Sequence, residues 1–142
     1  VNEFDQLART FAAPSLMQQF GDRDGNGVLQ SAKYHPPYAQ PGSPAIELSG
    51  AIWSDVRFED LPDIESGGIM RREARTCRVM RSELDARGID GFEFNAWVED
   101  PSGDPDAGWT LEESTTVWGE VFVTLGLVRI PLVRKGEQRA TV

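Results

Sequence analysis

Three kinds of residue in this chain have types and spacings that could do chemistry. The first is Asp22-x-Asp24-x-Asn26-Gly27, which copies positions 1, 3, 5 and 6 of an EF-hand loop, where oxygen ligands hold Ca²⁺. Position 12 of that pattern needs a bidentate glutamate, and Lys33 stands there instead. Pro14 before the motif and Tyr34-His35-Pro36-Pro37 after it do not suit flanking helices. A polar hairpin turn is the expected reading, with weak cation binding by Asp22, Asp24 and Asn26 as its rival. The second kind is paired carboxylates: Glu59-Asp60, Asp63 with Glu65, Glu99-Asp100 and Glu112-Glu113. A hydrolase pair needs one carboxyl raised in pKa by burial opposite another, and these lie in loop-like or turn-rich text. The third kind is the single His35 and single Cys77. His35 runs into two prolines with no nucleophile motif near it, since Ser43 sits in Pro-Gly-Ser-Pro rather than Gly-x-Ser-x-Gly. Cys77 lies near Arg75 and Arg78, which could activate a thiol, but a buried inert thiol fits its apolar neighbours better. Ser66-Gly67-Gly68 lacks the Lys-Ser/Thr of a phosphate loop. No enzymatic activity, metal site or cofactor is expected.

The background is a 142-residue, 15.7 kDa chain, which is the size of one domain, residues 1–142. A chain this long buries about 68–70% of its unfolded surface and needs no staple. One cysteine excludes an intramolecular disulfide and a Cys-x-x-Cys zinc site. The net charge is −9, which disfavours gripping nucleic acid by counterion release and binding anionic membranes. The longest nearly apolar run, Val121 to Val128, is far short of the ~20 residues that span a bilayer. No charged segment followed by an apolar one opens the sequence, so a protein made in the cytoplasm is expected.

The elements that would position these residues are mostly strands. Phe4, Leu7, Ala8 and Phe11 share one helical face, with Asn2 as N-cap and Pro14 as a stop. This predicts a short helix or arm over residues 1–13. A β body over 14–130 follows, and a tail over 131–142. Segments 15–21 and 27–34 flank Asp24-Gly25-Asn26-Gly27 and read as a hairpin. Residues 45–53 read as a strand bent at Gly50. Residues 54–68 read as an acidic loop whose Phe58, Leu61 and Ile64 tuck back onto the body. Residues 69–87 stay open: Met70, Ala74, Cys77, Met80 and Leu84 recur at helical spacing with Gly88 as C′ residue, yet a strand to Arg81 and a short helical turn also fit. Strands are predicted at 92–98 and 117–130, with a loop over 99–108. The expected fold is mainly β: a small antiparallel barrel or sandwich of five or six strands, with a short N-terminal helix and long loops. Arg71, Arg72, Arg75, Arg78 and Arg81 form a basic patch suited to acidic loops of this chain or of a neighbour, with nucleic-acid contact as the rival reading. Of the four tryptophans, Trp109 follows a loop and is the best interface candidate.

Several segments carry a family resemblance. They are Phe4-Asp-x-Leu-Ala-x-x-Phe11, Ala45-Ile-Glu-Leu-Ser-Gly-Ala-Ile-Trp-Ser-Asp55, Arg75-Thr-Cys-Arg-Val-Met-Arg-Ser-Glu-Leu84, Gly91-Phe-Glu-Phe-Asn-Ala-Trp-Val98 and Val121 to Arg129. Together they resemble the head–tail joining (neck, connector) proteins of long-tailed bacteriophages, over about two-thirds of the chain. The resemblance implies a structural virion protein at the neck. Six or twelve copies would form a ring between the DNA-filled head and the tail, touching the portal or adaptor protein and tail proteins. It also favours a strand at 75–81. DNA would pass without specific binding along an acidic lumen formed by Glu59, Asp60, Asp63 and Glu65. Ring contacts are expected at Phe4, Phe11, Trp109, Arg134 and Lys135. Other readings are a tail terminator or minor tail protein of similar fold, and, from another class, a small calcium-binding β-module.

Overall fold

The computed structural model describes residues 3–37, 44–104 and 107–129. It opens with one continuous helical rod made of α1 (Glu3–Leu7), a π-helical turn (Ala8–Ala12) and α2 (Ala13–Phe20). The helix therefore runs past Pro14 instead of ending before it. Proline has no N–H to give the carbonyl four residues back. The chain absorbs this with a wider turn in which the Ala13 N–H reaches the Ala8 carbonyl, so Pro14 enters the first turn of α2 without strain. The expected strand at 15–21 is thus helix. The expected turn survives as an Arg23–Leu29 bridge flanked by Asp24 N–H to Val28 O and Gln30 N–H to Asp22 O bonds, and residues 31–34 of the second expected strand are strand.

Nine strands follow, all paired antiparallel. They are β1 (Ser31–His35), β2 (Ile46–Ser49), β3 (Ile52–Trp53), β4 (Arg57–Pro62), β5 (Ile69–Met80), β6 (Trp97–Glu99), β7 (Gly108–Leu111), β8 (Val117–Trp118) and β9 (Phe122–Arg129), with α3 (Arg81–Ala86) after β5. The order is β2-β1-β6-β7-β9-β5-β3, with β4 also on β5 and β8 also on β9. Laid flat, seven strands would hold the outer two about 29 Å apart. Those outer strands, β2 and β3, are joined only by Gly50-Ala51, a link that reaches about 10 Å. The sheet must therefore curl on itself. Gly50, at φ +83°, makes the bend. The fold is mainly β and antiparallel, as expected; no ladder joins β2 to β3, so the sheet is open and not closed into a barrel.

The concave side encloses the core: Leu48, Val79, Leu84, Val98, Trp109, Val123, Leu125 and Leu127 are all buried. A smaller cluster of Ala13, Met17 and Met80 ties α2 to the Met80 end of β5. The open question at 69–87 resolves as a twelve-residue strand and a six-residue helix. Gly88, at φ +70°, then closes α3: Gly88 N–H bonds Asp85 O at 3.1 Å and Ile89 N–H bonds Leu84 O at 2.9 Å. Three further expectations change. Strand pairing at 92–98 is confined to β6, because Phe92 leaves the sheet to stack on Trp118. The expected strand at 117–130 is two strands, β8 folding back on β9. Residues 57–62 are a strand, where a loop was expected.

Candidate assembly surfaces

The N-terminal helix is fixed to the body by one side and bare on the other. Arg9 holds it: its guanidinium donates to the Glu120 carbonyl, to Glu120 Oε2 at 2.7 Å and to Asp85 Oδ2 at 3.5 Å. On the free side Phe4 is 76% exposed, Leu7 57% and Phe11 66%. Glu3, Gln6, Leu7, Thr10 and Phe11 border a groove of about 380 Å³ there. Scattered exposed apolar residues are ordinary; Phe4, Leu7 and Phe11 share one helix. The expected contact residues Phe4 and Phe11 thus stand in the open. Arg134 and Lys135 lie outside the described residues.

A second bare surface comes from β4 and β5. Among the described residues, residues 69–72 of β5 pair with β4 alone, and the two strands form a hairpin ribbon. Phe58 is 60% exposed, Ile64 96% and Ile69 63%. The expectation that Phe58 and Ile64 tuck inward is corrected: the ribbon carries them away from the core.

The ribbon also changes the acidic set. Glu59 and Asp60 lie on β4 directly opposite Arg72 and Arg71. Arg71 donates to Asp60 at 3.1 Å, and Arg72 bridges Glu59 at 3.1 Å and Glu112 at 2.7 Å. The Glu112 hydrogen bond leads in raising the Arg72 pKa above its usual range, against the lowering effect of burial. Only Asp63 and Glu65 sit in the turn, where Asp63 Oδ1 accepts the Glu65 N–H. The four carboxylates are therefore not one acidic loop, and two of them face arginines. This assigns much of the expected basic patch to pairing within the chain.

Trp109 is fully buried and is not a surface residue. Cross-strand register puts Arg75 opposite Leu127 and Glu73 opposite Arg129, so these charges sit on the core side at one end of the sheet. Arg75 lies over Trp53 at 4.7 Å and over Trp109 at 5.4 Å, and Arg129 lies over Trp109 at 4.0 Å. Asp100 binds the group together. Its Oδ1 accepts the Trp109 indole N–H at 2.7 Å and faces Arg75 at 3.5 Å and Arg129 at 3.8 Å. Glu73 pairs with Arg129. Burial pushes the Asp100 carboxyl up, but hydrogen bonds from Ser102 and Trp109 and the charge of Arg129 outweigh it, and the net shift is down. Two cations and two anions balance, so this end is a plug of satisfied charge.

The remaining candidates have structural occupations. Asp24 Oδ1 accepts the N–H groups of Asn26 at 2.8 Å and Val28 at 3.0 Å, forming the turn itself. Asp22 Oδ2 accepts the Trp53 N–H at 2.7 Å. Among the described residues no three His, Cys, Asp or Glu side chains are grouped as a metal would require. His35 stacks on Trp97 at 3.9 Å and meets Glu99 at 2.7 Å. Cys77 is buried, and desolvation pushes its thiol up, away from the reactive thiolate. No helix among the described residues is long and apolar enough to cross a membrane. No protein-family model matches the chain, and no curated protein matches it in sequence.

Proposed function

We propose that this chain is a structural subunit of a tailed-bacteriophage virion, one copy of a ring in the neck between head and tail. The observation that carries the reading is the outward row of Phe4, Leu7 and Phe11 on a helix clamped to a curled β body. A body with its own core has no internal need for that row, so a neighbour is its natural cover. The resemblance of the five quoted segments supports the same reading, and it gives the partners: further copies, a portal or adaptor protein, and tail proteins. The role is mechanical, with no catalysis and no cofactor.

DNA passes such a ring without being held. The net charge of −9 supports this, because like charges repel across a screened channel. At the ribbon, Glu59 and Asp60 spend their charge on arginines, and Asp63 and Glu65 stand in the turn. The test is a cryo-electron microscopy reconstruction of the particle that contains this chain. Ring density at the neck supports the role, and density elsewhere or none overturns it. Within such a particle, Asp63→Lys with Glu65→Lys should impair DNA delivery, and unchanged delivery would discard the acidic-lumen part.

A further inference from the structure

We infer that the two bare apolar surfaces bind each other between copies, the helix row of one chain seating on the ribbon tip of the next. This rests on the ring reading and names its contact. The helix packs at the Met80 end of β5, through Ala13 and Met17. The ribbon turn follows the Ile69 end of the same strand. Twelve residues of strand put those ends about 37 Å apart. The two surfaces are thus held at opposite ends of the longest strand, and the rigid sheet between them keeps them from meeting within one copy.

A second copy satisfies both at once. Six side chains of roughly 200 Å² each, Phe4, Leu7, Phe11, Phe58, Ile64 and Ile69, give on the order of 800 Å² of exposed apolar surface at their observed exposures. That is about half of a standard interface of ~1,600 Å² before any polar rim is counted. Ile64, 96% exposed, stands at the turn, and Leu7 and Phe11 border the groove on the helix. Because the two surfaces differ, the contact is heterologous. It repeats head to tail and generates a ring or filament rather than a two-fold dimer.

The experiment uses two single variants of the full chain, Phe11→Cys and Ile64→Cys, and a short bis-maleimide linker. Both positions are exposed, so folding should be unaffected, and Cys77 is buried away from the reagent. Mixed together, the two variants should give a covalent dimer containing one of each, while each alone should give none. The chain carrying both substitutions should give a ladder of multimers. A dimer of Phe11→Cys alone would show a two-fold contact and overturn the pairing. Absence of cross-links in every combination would overturn it too. The particle reconstruction judges the ring separately, so a neck ring without this cross-link would remove the contact and keep the role.

Discussion

Replacing Asp100 by alanine removes one acceptor from four donors at the charged end of the sheet. The Trp109 indole N–H, on a side chain with no solvent exposure, loses its 2.7 Å bond. An unsatisfied buried donor costs ~1–3 kcal/mol. The Ser102 amide loses its 3.0 Å bond to Asp100 Oδ2, a net ~0.5–1.5 kcal/mol. Arg75 and Arg129, mostly buried, lose half of their balancing charge. The sum is ~2–4 kcal/mol, or a melting temperature about 6–12 °C lower for a chain of this size. Asp100→Asn keeps an acceptor for Trp109 and removes only the charge, so its loss should be smaller. The pH dependence separates the two contributions. The folded Asp100 pKa lies below its unfolded value of about 3.9. Its charge therefore stabilises the fold fully above pH ~4, and that stability is lost as pH falls through the folded pKa. Thermal unfolding followed by circular dichroism should show the gap between wild type and Asp100→Asn narrowing below pH ~4. An Asp100→Ala variant as stable as wild type at pH 7 would refute the reasoning, as would an Asn gap that does not change with pH.

Three further outcomes follow from particular contacts. Gly126→Ala puts a Cβ 2.0 Å from Thr115 Oγ1 and 2.8 Å from the Thr115 carbonyl carbon, so urea unfolding should show ~1–3 kcal/mol of destabilisation. Cys77 should resist a thiol reagent in the native state and react fully in denaturant, because its side chain is wholly buried; rapid native labelling would contradict the packing. Phe4→Ser with Phe11→Ser should leave the melting temperature of the single chain within about 2 °C while weakening self-association measured by sedimentation, and a large loss of stability would show the row to be core.

Much of the architecture was legible where a residue acts locally. Gly50 and Gly88 announced a bend and a helix end, and both occupy positive φ. The core alternation of Val123, Leu125 and Leu127 was visible as written. What stayed hidden depends on pairings between distant residues. Residues 69–80 carry apolar positions at helical spacing, yet β4 and β9 flank them on either side and make a strand of them. β7 has four residues after a turn-rich loop, and it is a strand because β6 and β9 receive it. Trp109 looked like a loop-edge interface residue for the same reason. Among the surface residues, spacing placed Phe4 and Phe11 on one helical face and the resemblance made them contacts, while Phe58 and Ile64 were misread because nothing local says whether an apolar loop residue folds inward or rides out on a ribbon.

The wide turn before Pro14 sets the rotational phase of the first ten residues. One residue more than an α-helical turn is wound into Ala8–Ala12, and a residue step in a helix is about 100°. Ala13 and Met17 face the sheet behind that turn, while Phe4 and Leu7 face outward ahead of it and Phe11 stands exposed within it. Winding the same residues as a regular α-helix would swing Phe4 and Leu7 by about 100° relative to Ala13 and Met17. The missing N–H of Pro14 thus fixes which side of the helix Phe4 and Leu7 occupy.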